Sequence, residues 1–430
     1  MDGGVGRHVR RVLLLRRLVA ASAISAVGDG LALVAFPLLA LRVTHSALLV
    51  SGVAVASRLP WLLLALPAGV LVDRHNKRRL VVAVDLLRAL AVGLVALGAA
   101  TGPVSLVALY AAAFLVGAGD TVVLSVARGT VPELVQGEGL VRVNGQVSAV
   151  ETAGKQFAGP AAGGAVFALS SALPFLGDAL SYLGSALLLG TAIPSRPAKR
   201  TDAPPSVAAD ISSGLRLFVR IRGLPVLAAV VGSFAFCQAM VLGVLVLYAT
   251  RVLGLDSTGY GLLLAVAAVG DVGASLVARR VHGRIGPYLS LVLAGTFAGI
   301  GYVALGSAPG LYLAGAALAV EAAASTLGNV TTMSLRQRLI PPERFGLVNN
   351  TFRMCVTGLV PLGALAGGLL AARWGERPTF EIAGALQLAV LAVLARAMRS
   401  AVSGAAGTGM ADPAVAALEL TGSPRDDGEA

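Results

Sequence analysis

The chain has 430 residues, of which 56% are hydrophobic and only 13% charged, and its formal net charge is +12. Soluble domains carry about 25% charged residues, so this apolar content exceeds what a soluble interior of that size can hide. The long runs rich in Leu, Val, Ala and Gly also lack the short alternation of an outer-membrane barrel, which leaves a helical bundle embedded in a bilayer.

A spanning helix uses roughly 20 apolar residues. Runs of that kind, bounded by charge or by Gly and Pro, predict helices over 18–40, 48–71, 80–100, 104–128, 144–169 and 174–193. Six more are expected over 224–248, 258–278, 287–306, 309–333, 347–371 and 378–398. The expected fold is an all-α integral membrane protein of 12 transmembrane helices in two six-helix bundles. Arg7, Arg10, Arg11, Arg16 and Arg17 precede a first run too long for a signal h-region, so that run is read as a retained helix. Residues 1–193 form the first bundle and 224–400 the second. Between them, 194–223 is polar and Pro-rich and then amphipathic and basic, a cytoplasmic linker. Residues 401–430 cannot bury a core and are expected to be a disordered tail.

Alternate loops differ in charge. One set holds Arg74, Lys77, Arg78, Arg79, Arg142, Arg196, Lys199, Arg200, Arg216, Arg220, Arg222, Arg279, Arg280, Arg284, Arg336, Arg338 and Arg344, the other only Arg42, Arg251, Arg373 and Arg377. By the positive-inside rule both termini face the cytoplasm of a cell (inner) membrane protein, and the basicity reports topology rather than nucleic-acid binding. Cys237 and Cys355 lie far apart inside apolar runs and read as packing residues. There is no Walker loop, no HExxH and no histidine cluster, since His8, His45, His75 and His282 all fall at or outside helix ends. No bound cofactor is therefore expected, and ATP-driven transport and zinc chemistry are unsupported.

The two halves echo each other. PELVQGEGLVRVNG from Pro132 precedes helix five, and PERFGLVNN from Pro342 precedes helix eleven; each then runs into a Gly/Ala/Pro-rich stretch. Matching places six helices apart are what parallel repeats about an axis along the membrane normal produce. The segment GVLVDRHNKRRL, Gly69 to Leu80, resembles the GxLaDrxGrkxxl signature between helices two and three of the major facilitator superfamily. SAVGDGLALVAFPLLAL (25–41), RLPWLLLALPAG (58–69), PFLGDALSYLGSALLL (174–189) and LRQRLIPPERFGLVNN (335–350) resemble its drug:proton antiporter-3 branch, the macrolide and siderophore exporter-like group. Two departures stand out: Asn76 replaces the usual Gly, and GKQFAGPAAGG (154–164) has one residue too many for the antiporter motif gxxxGPxxGG.

The resemblance implies a gating role for Gly69, Asp73, Arg74 and Arg78, with Asp73 tying helix two to helix eleven through Arg353 or the N–H groups at that helix's start. It also implies a bending element at Gly159, Pro160, Gly163 and Gly164, where a backbone hydrogen bond is removed and helices approach closely. Apart from any resemblance, a charge at mid-bilayer costs roughly 3 kcal/mol on insertion scales, so charged residues inside spans must face the bundle interior or a wet path. Asp29, Asp120, Glu151, Lys155, Asp271 and Glu321 are such residues; Arg58, Arg88 and Arg353, nearer helix ends, read as snorkelling or structural. Asp29, Glu151, Lys155, Asp271 and Glu321 are the candidates for a proton-coupling and substrate cavity, Asp29 foremost, although Glu151 and Lys155 at i and i+4 can simply neutralise one another.

The expected function is a secondary active transporter working by alternating access; the resemblance implies that it exports a small amphipathic molecule and that a proton gradient is its energy source, protons flowing inward, with substrate, protons and the lipid bilayer as its partners. Uptake symport of a nutrient is the rival within transport. A non-transporting receptor or a membrane-embedded enzyme is the rival outside it.

Overall fold

The computed structural model describes residues 2–102, 104–135, 138–193 and 207–407, and their side chains apart from 2–12, 65–70, 73, 128–129, 131–134, 138, 140–141, 207–211, 342 and 402–407. No strand occurs among the described residues. The first part of the chain is α1 (Asp2–Val43), α2 (Ala47–Arg74), α3 (Lys77–Thr101), α4 (Leu106–Leu134), α5 (Glu138–Thr152), a π-turn (Ala153–Ala158), α6 (Gly159–Leu169) and α7 (Leu173–Ala192). After α8 (Val207–Arg220) come α9 (Leu224–Leu242), the single turn α10 (Leu245–Leu247), a second π-turn (Tyr248–Val252) and α11 (Ser257–Ser307). The described residues end with α12 (Leu311–Leu339), α13 (Phe345–Thr357), α14 (Leu359–Trp374) and α15 (Glu376–Gly407). Among the described residues, ten helical stretches are long and apolar enough to cross a membrane.

Local chemistry explains where helices start and stop. Asn76 caps α3, its Oδ1 accepting from the N–H groups of Arg78 at 3.1 Å and Arg79 at 3.3 Å. The backbone there has φ of −66°, so the position needs no glycine and gains a cap from asparagine. A straight helix of 51 residues would be about 77 Å long, yet α11 turns at Gly286, where φ is 76° and ψ 169°, ahead of Pro287. Both of its arms then lie beside α12: a Cβ on Gly270 would meet the Ala319 backbone, and one on Gly301 would fall 3.1 Å from the Ala317 carbonyl. The run is a hairpin of two helices, as the separate expectations at 258–278 and 287–306 require.

Three expected single helices are interrupted instead. The run over 347–371 breaks between α13 and α14 because Pro361 cannot donate to the carbonyl of Thr357. That over 224–248 breaks at Gly243 and Val244, where Gly243 lies against Ala364 of α14. That over 144–169 starts earlier, at Glu138, and contains the π-turn. Here the surplus residue of GKQFAGPAAGG is absorbed: the Gly159 N–H bonds to the Gly154 carbonyl, five residues back. An i+5 turn stacks residues five apart, so Gly154 and Gly159 both face α1, against Ala26–Val27 and Gly30 respectively. At its far end α15 runs on to Gly407, past the expected limit of 398 and into the stretch from 401 expected to be disordered.

The outward faces are apolar, as lipid requires; on α3, Leu87, Leu90, Leu94 and Leu97 are all exposed at helical spacing. The two parts of the chain meet at the face that holds the α1–α2 turn. Gly164 of α6 lies against Ser257 and Thr258, Gly261 of α11 against the Pro160 carbonyl, and Gly368 of α14 against Ser51 of α2. Arg251 reaches across to the His45 carbonyl at 2.7 Å. At the other face the polar residues of α5, including Asn144, Gln146, Ser148 and Glu151, are exposed.

Candidate functional site

Small residues bring the ionisable groups together. Gly30 follows Asp29 on α1, and a Cβ there would fall 2.7 Å from both the Gly154 carbonyl oxygen and the Gly159 Cα. This backbone-to-backbone contact sets Asp29 opposite the π-turn. Lys155 Nζ donates to Asp29 Oδ2 at 2.9 Å and to Asp120 Oδ2 at 3.4 Å. Asp29 Oδ1 accepts from the Tyr182 hydroxyl at 2.7 Å and from Arg88 Nη2 at 3.4 Å. Arg88 stands at the centre. Its Nη1 pairs with Asp85 at 3.2 Å and its Nη2 with Asp120, while the guanidinium stacks 3.9 Å over the Tyr182 ring. Ser185 completes Asp85 by donating to Oδ2 at 2.8 Å.

Five charged groups from α1, α3, α4 and the π-turn thus form one cluster. Side-chain exposure rises through it, from 1% at Asp85 and 3% at Arg88, through 12% at Asp29 and 23% at Asp120, to 40% at Lys155. The dry end is locked by a rigid fork and the wet end by a flexible ammonium, which exchanges partners more readily.

A second, smaller site lies in the later part of the chain. Glu321 of α12 is buried, and three donors converge on its Oε1: the Tyr302 hydroxyl at 2.7 Å, Ser325 Oγ at 2.8 Å and Gln238 Nε2 at 3.4 Å. Among the described residues no cation comes within ion-pair distance of it. Gln238 and Ser325 also line a cavity of about 100 Å³, with Phe234, Asn329, Thr332 and Val356. Asp271, on the first arm of α11, accepts from Thr326 Oγ1 at 2.7 Å.

Of the residues singled out from sequence, Asp29, Asp120 and Lys155 are brought together, and Glu321 and Asp271 sit on neighbouring helices away from them. Glu151 does not join Lys155: its side chain is exposed, and the π-turn between them removes the shared face that i and i+4 have in a regular helix. Arg88 is a correction. Read as nearer a helix end and as snorkelling or structural, it lies well inside α3 and is only 2% exposed, so it does not snorkel, and its structural role is to anchor the cluster. The sequence reading passes over Asp85, Asp178, Tyr182, Ser185, Gln238 and Tyr302. The signal was present as a stripe at i, i+4 and i+7 on α7 (Asp178, Tyr182, Ser185) and an i, i+3 pair on α3 (Asp85, Arg88). Arg74 and Arg78 are exposed at the α2–α3 turn and Arg353 is half-buried on α13. Gly69 and Asp73 lie outside the described side chains. Gly159, Pro160, Gly163 and Gly164 are all buried, Gly163 against Leu31 of α1.

These contacts predict unequal outcomes for two neighbours. Lys155→Met leaves Asp29 and Asp120 short of a partner and is expected to lower the melting temperature of the detergent-purified protein by several degrees. Glu151→Gln is expected to melt with the wild type.

The family profile of transmembrane secretion effectors, within the major facilitator superfamily, matches residues 10–417. The chain belongs to this family. It is a multi-pass membrane protein. Over 218 residues it is 31% identical to the multidrug efflux pump Tap of Mycobacterium tuberculosis, and equally to that of Mycobacterium bovis. That match covers 49% of this chain and 52% of the relative, so the chain spans about half the length of the curated relatives it matches. In fold it is similar to the nucleoside transporter NupG (TM-score 0.71, 14% identity, 91% of this chain and 99% of that one). A bacterial homologue of the iron transporter ferroportin in its inward-facing state gives a TM-score of 0.69 at 20% identity, covering 91% and 98%. A bacterial homologue of the human lysosomal transporter Spinster gives 0.70 at 14%, covering 92% and 98%.

Proposed function

We propose that this protein is a proton-coupled exporter of small amphipathic molecules, of the drug, antibiotic or siderophore-like kind, working by alternating access. On this reading the chain crosses the membrane twelve times. The ten long stretches supply eleven crossings once the α11 hairpin is divided, and α5 with its π-turn and α6 supplies the twelfth. Residues 1–193 and 224–400 are the two moving bundles, 194–223 joins them, and both termini are cytoplasmic. The positive-inside rule then makes the face of exposed α5 residues cytoplasmic and the face of interlocked glycines external.

The observation that carries this reading is the ion cluster around Arg88, dry at one end and accessible at Lys155, in a bundle whose parts interlock at one face. Substrate or a proton arriving at the wet end changes which acids Lys155 must neutralise, and that bias between arrangements is what coupling requires. The partial match to a multidrug efflux pump supports export over uptake. Asp29 is the carboxylate through which the cluster senses ΔpH, because it alone touches both cations and Tyr182. Asp29→Asn keeps the shape and is expected to abolish dependence on ΔpH while substrate still binds.

The test is transport into inverted vesicles with an imposed pH gradient, against a panel of hydrophobic antibiotics and siderophores, for wild type and Asp29→Asn side by side. Gradient-driven uptake into the vesicles by wild type alone is expected. Gradient-driven loss from the vesicles would make the protein a nutrient symporter, and undiminished coupling in the variant would move the role to Glu321 or Asp271.

A further inference from the structure

One carboxyl near the cluster takes no part in it. Asp178, on α7 one turn before Tyr182, is 0% exposed. Its Oδ1 is 3.4 Å from Ser181 Oγ, and its Oδ2 has no hydrogen-bond partner. Gly28 lets it press against α1, since a Cβ there would fall 2.6 Å from Asp178 Oδ1. On the other side of Gly28 and Ser181 runs an apolar groove between α1 and α7, lined also by Ala23, Val27, Gly177 and Leu180. Asp178 therefore lies one layer in from the lipid-facing side.

The charged and titratable groups that act on it are Asp29 on α1, Arg88 on α3, Asp120 on α4, Lys155 on the π-turn and Tyr182 on its own helix, with Asp85 behind Arg88. Arg88 is engaged by Asp29, Asp85 and Asp120, and Lys155 by Asp29 and Asp120; neither cation is within ion-pair distance of Asp178. Four carboxyl groups thus share two cations, and three of the four take all the pairing. An ionised Asp178 would keep one oxygen without a donor in an apolar surrounding, the state that buried carboxyl groups avoid by keeping a proton.

We propose that Asp178 is a carboxylic acid in this arrangement, and that it is the store from which the transported proton is released and to which it returns. The second part rests on the proton-coupled reading above; the first does not. When the O–H bond breaks, the proton leaves through the wet end of the cluster and a negative charge stays on α7. Only a cation freed from the cluster can balance that charge, so release waits until Arg88 or Lys155 gives up Asp29 or Asp120. Protonation is thereby tied to the arrangement of α1, α3 and the π-turn.

Infrared difference spectroscopy of the whole protein in lipid at neutral pH reads the first part directly. The C=O stretch of protonated carboxyl groups is expected in wild type and in Asp29→Asn, and the part of it that does not belong to Glu321, itself buried with no cation paired to it among the described residues, is expected to be lost in Asp178→Asn. Should Asp178→Asn fail to fold, Asp178→Glu keeps the titrating group and shifts the band. A band unchanged in the Asp178 variants, or no band in wild type, overturns the assignment whether or not transport is ever observed. The second part is read by a pH-indicator dye on adding tetraphenylphosphonium as a probe amphiphile to detergent-solubilised protein: proton release is expected to fall at least tenfold in Asp178→Asn. Equal release from both proteins overturns the role as proton store, while release absent from wild type too counts against the proton-coupled reading and leaves the infrared result standing.

Discussion

Arg88→Met is expected to yield little or no folded protein. The guanidinium holds Asp29, Asp85 and Asp120 and stacks on Tyr182, and methionine keeps much of the volume while removing every donor. Replacing a buried ion pair as a whole can be neutral, but removing one partner costs about 3–5 kcal/mol because a charge is left stranded. Here one substitution strands up to three carboxylates with Lys155 as the single remaining cation. A loss of that size is a large part of a typical folding free energy of about 5–15 kcal/mol. Arg88→Lys restores the charge without the planar fork and is expected to fall between the two. Size-exclusion profiles and thermal melts in detergent of the three proteins, expressed in parallel, check the order. A monodisperse Arg88→Met protein melting near the wild type would mean that the three acids are neutralised by protons rather than by arginine.

Gly164→Val is expected to fold and insert but to lose transport by at least tenfold. A Cβ at Gly164 meets the Ser257 carbonyl oxygen and comes within 3.1 Å of the Thr258 Cα, and both are backbone that cannot step aside. The clash falls between α6 and the first turn of α11, where the two parts of the chain touch, and leaves the packing of α6 on α1 intact. The interlocked face is therefore held apart. Thiol labelling of a cysteine at Thr258, with Cys237 and Cys355 replaced, is expected to speed up several-fold in the Gly164→Val background. Gly145→Ala serves as the control, since a Cβ at Gly145 meets nothing within 4 Å and alanine favours the helix. Unchanged labelling together with unchanged transport would show that this contact does not have to close.

Much of the architecture was written in the sequence because the bilayer demands it: apolar runs of about 20 residues have few other uses, and the α11 reversal was marked by Gly286–Pro287. The interruptions at Gly243, Gly358 and Ala153–Ala158 were not legible as such, since each depends on what packs against the helix at that depth. The site was half legible. Charges inside apolar runs announced Asp29, Asp120, Lys155 and Glu321, yet which acid Lys155 meets depends on a π-turn. Arg88 was misread because a position eight residues beyond a predicted helix start resembles an end; its burial follows from α3 crossing α7, which no spacing within α3 records. The departure at Asn76 proved to be a cap.

The turn over Ala153–Ala158 means that α5 and α6 share one residue more than a regular helix of the same rise can hold. A surplus of this kind is slack: it can pass along a helix one hydrogen bond at a time while both ends stay anchored. Wherever it sits, the side chains on either side are rotated relative to one another. Wound with the slack elsewhere, the same segment would bring Lys155 round toward Glu151, four residues behind it, and away from Asp29. In the winding seen here the lysine at the wet end of the cluster therefore has two acids across helix interfaces, Asp29 and Asp120, and pairs with none on its own helix.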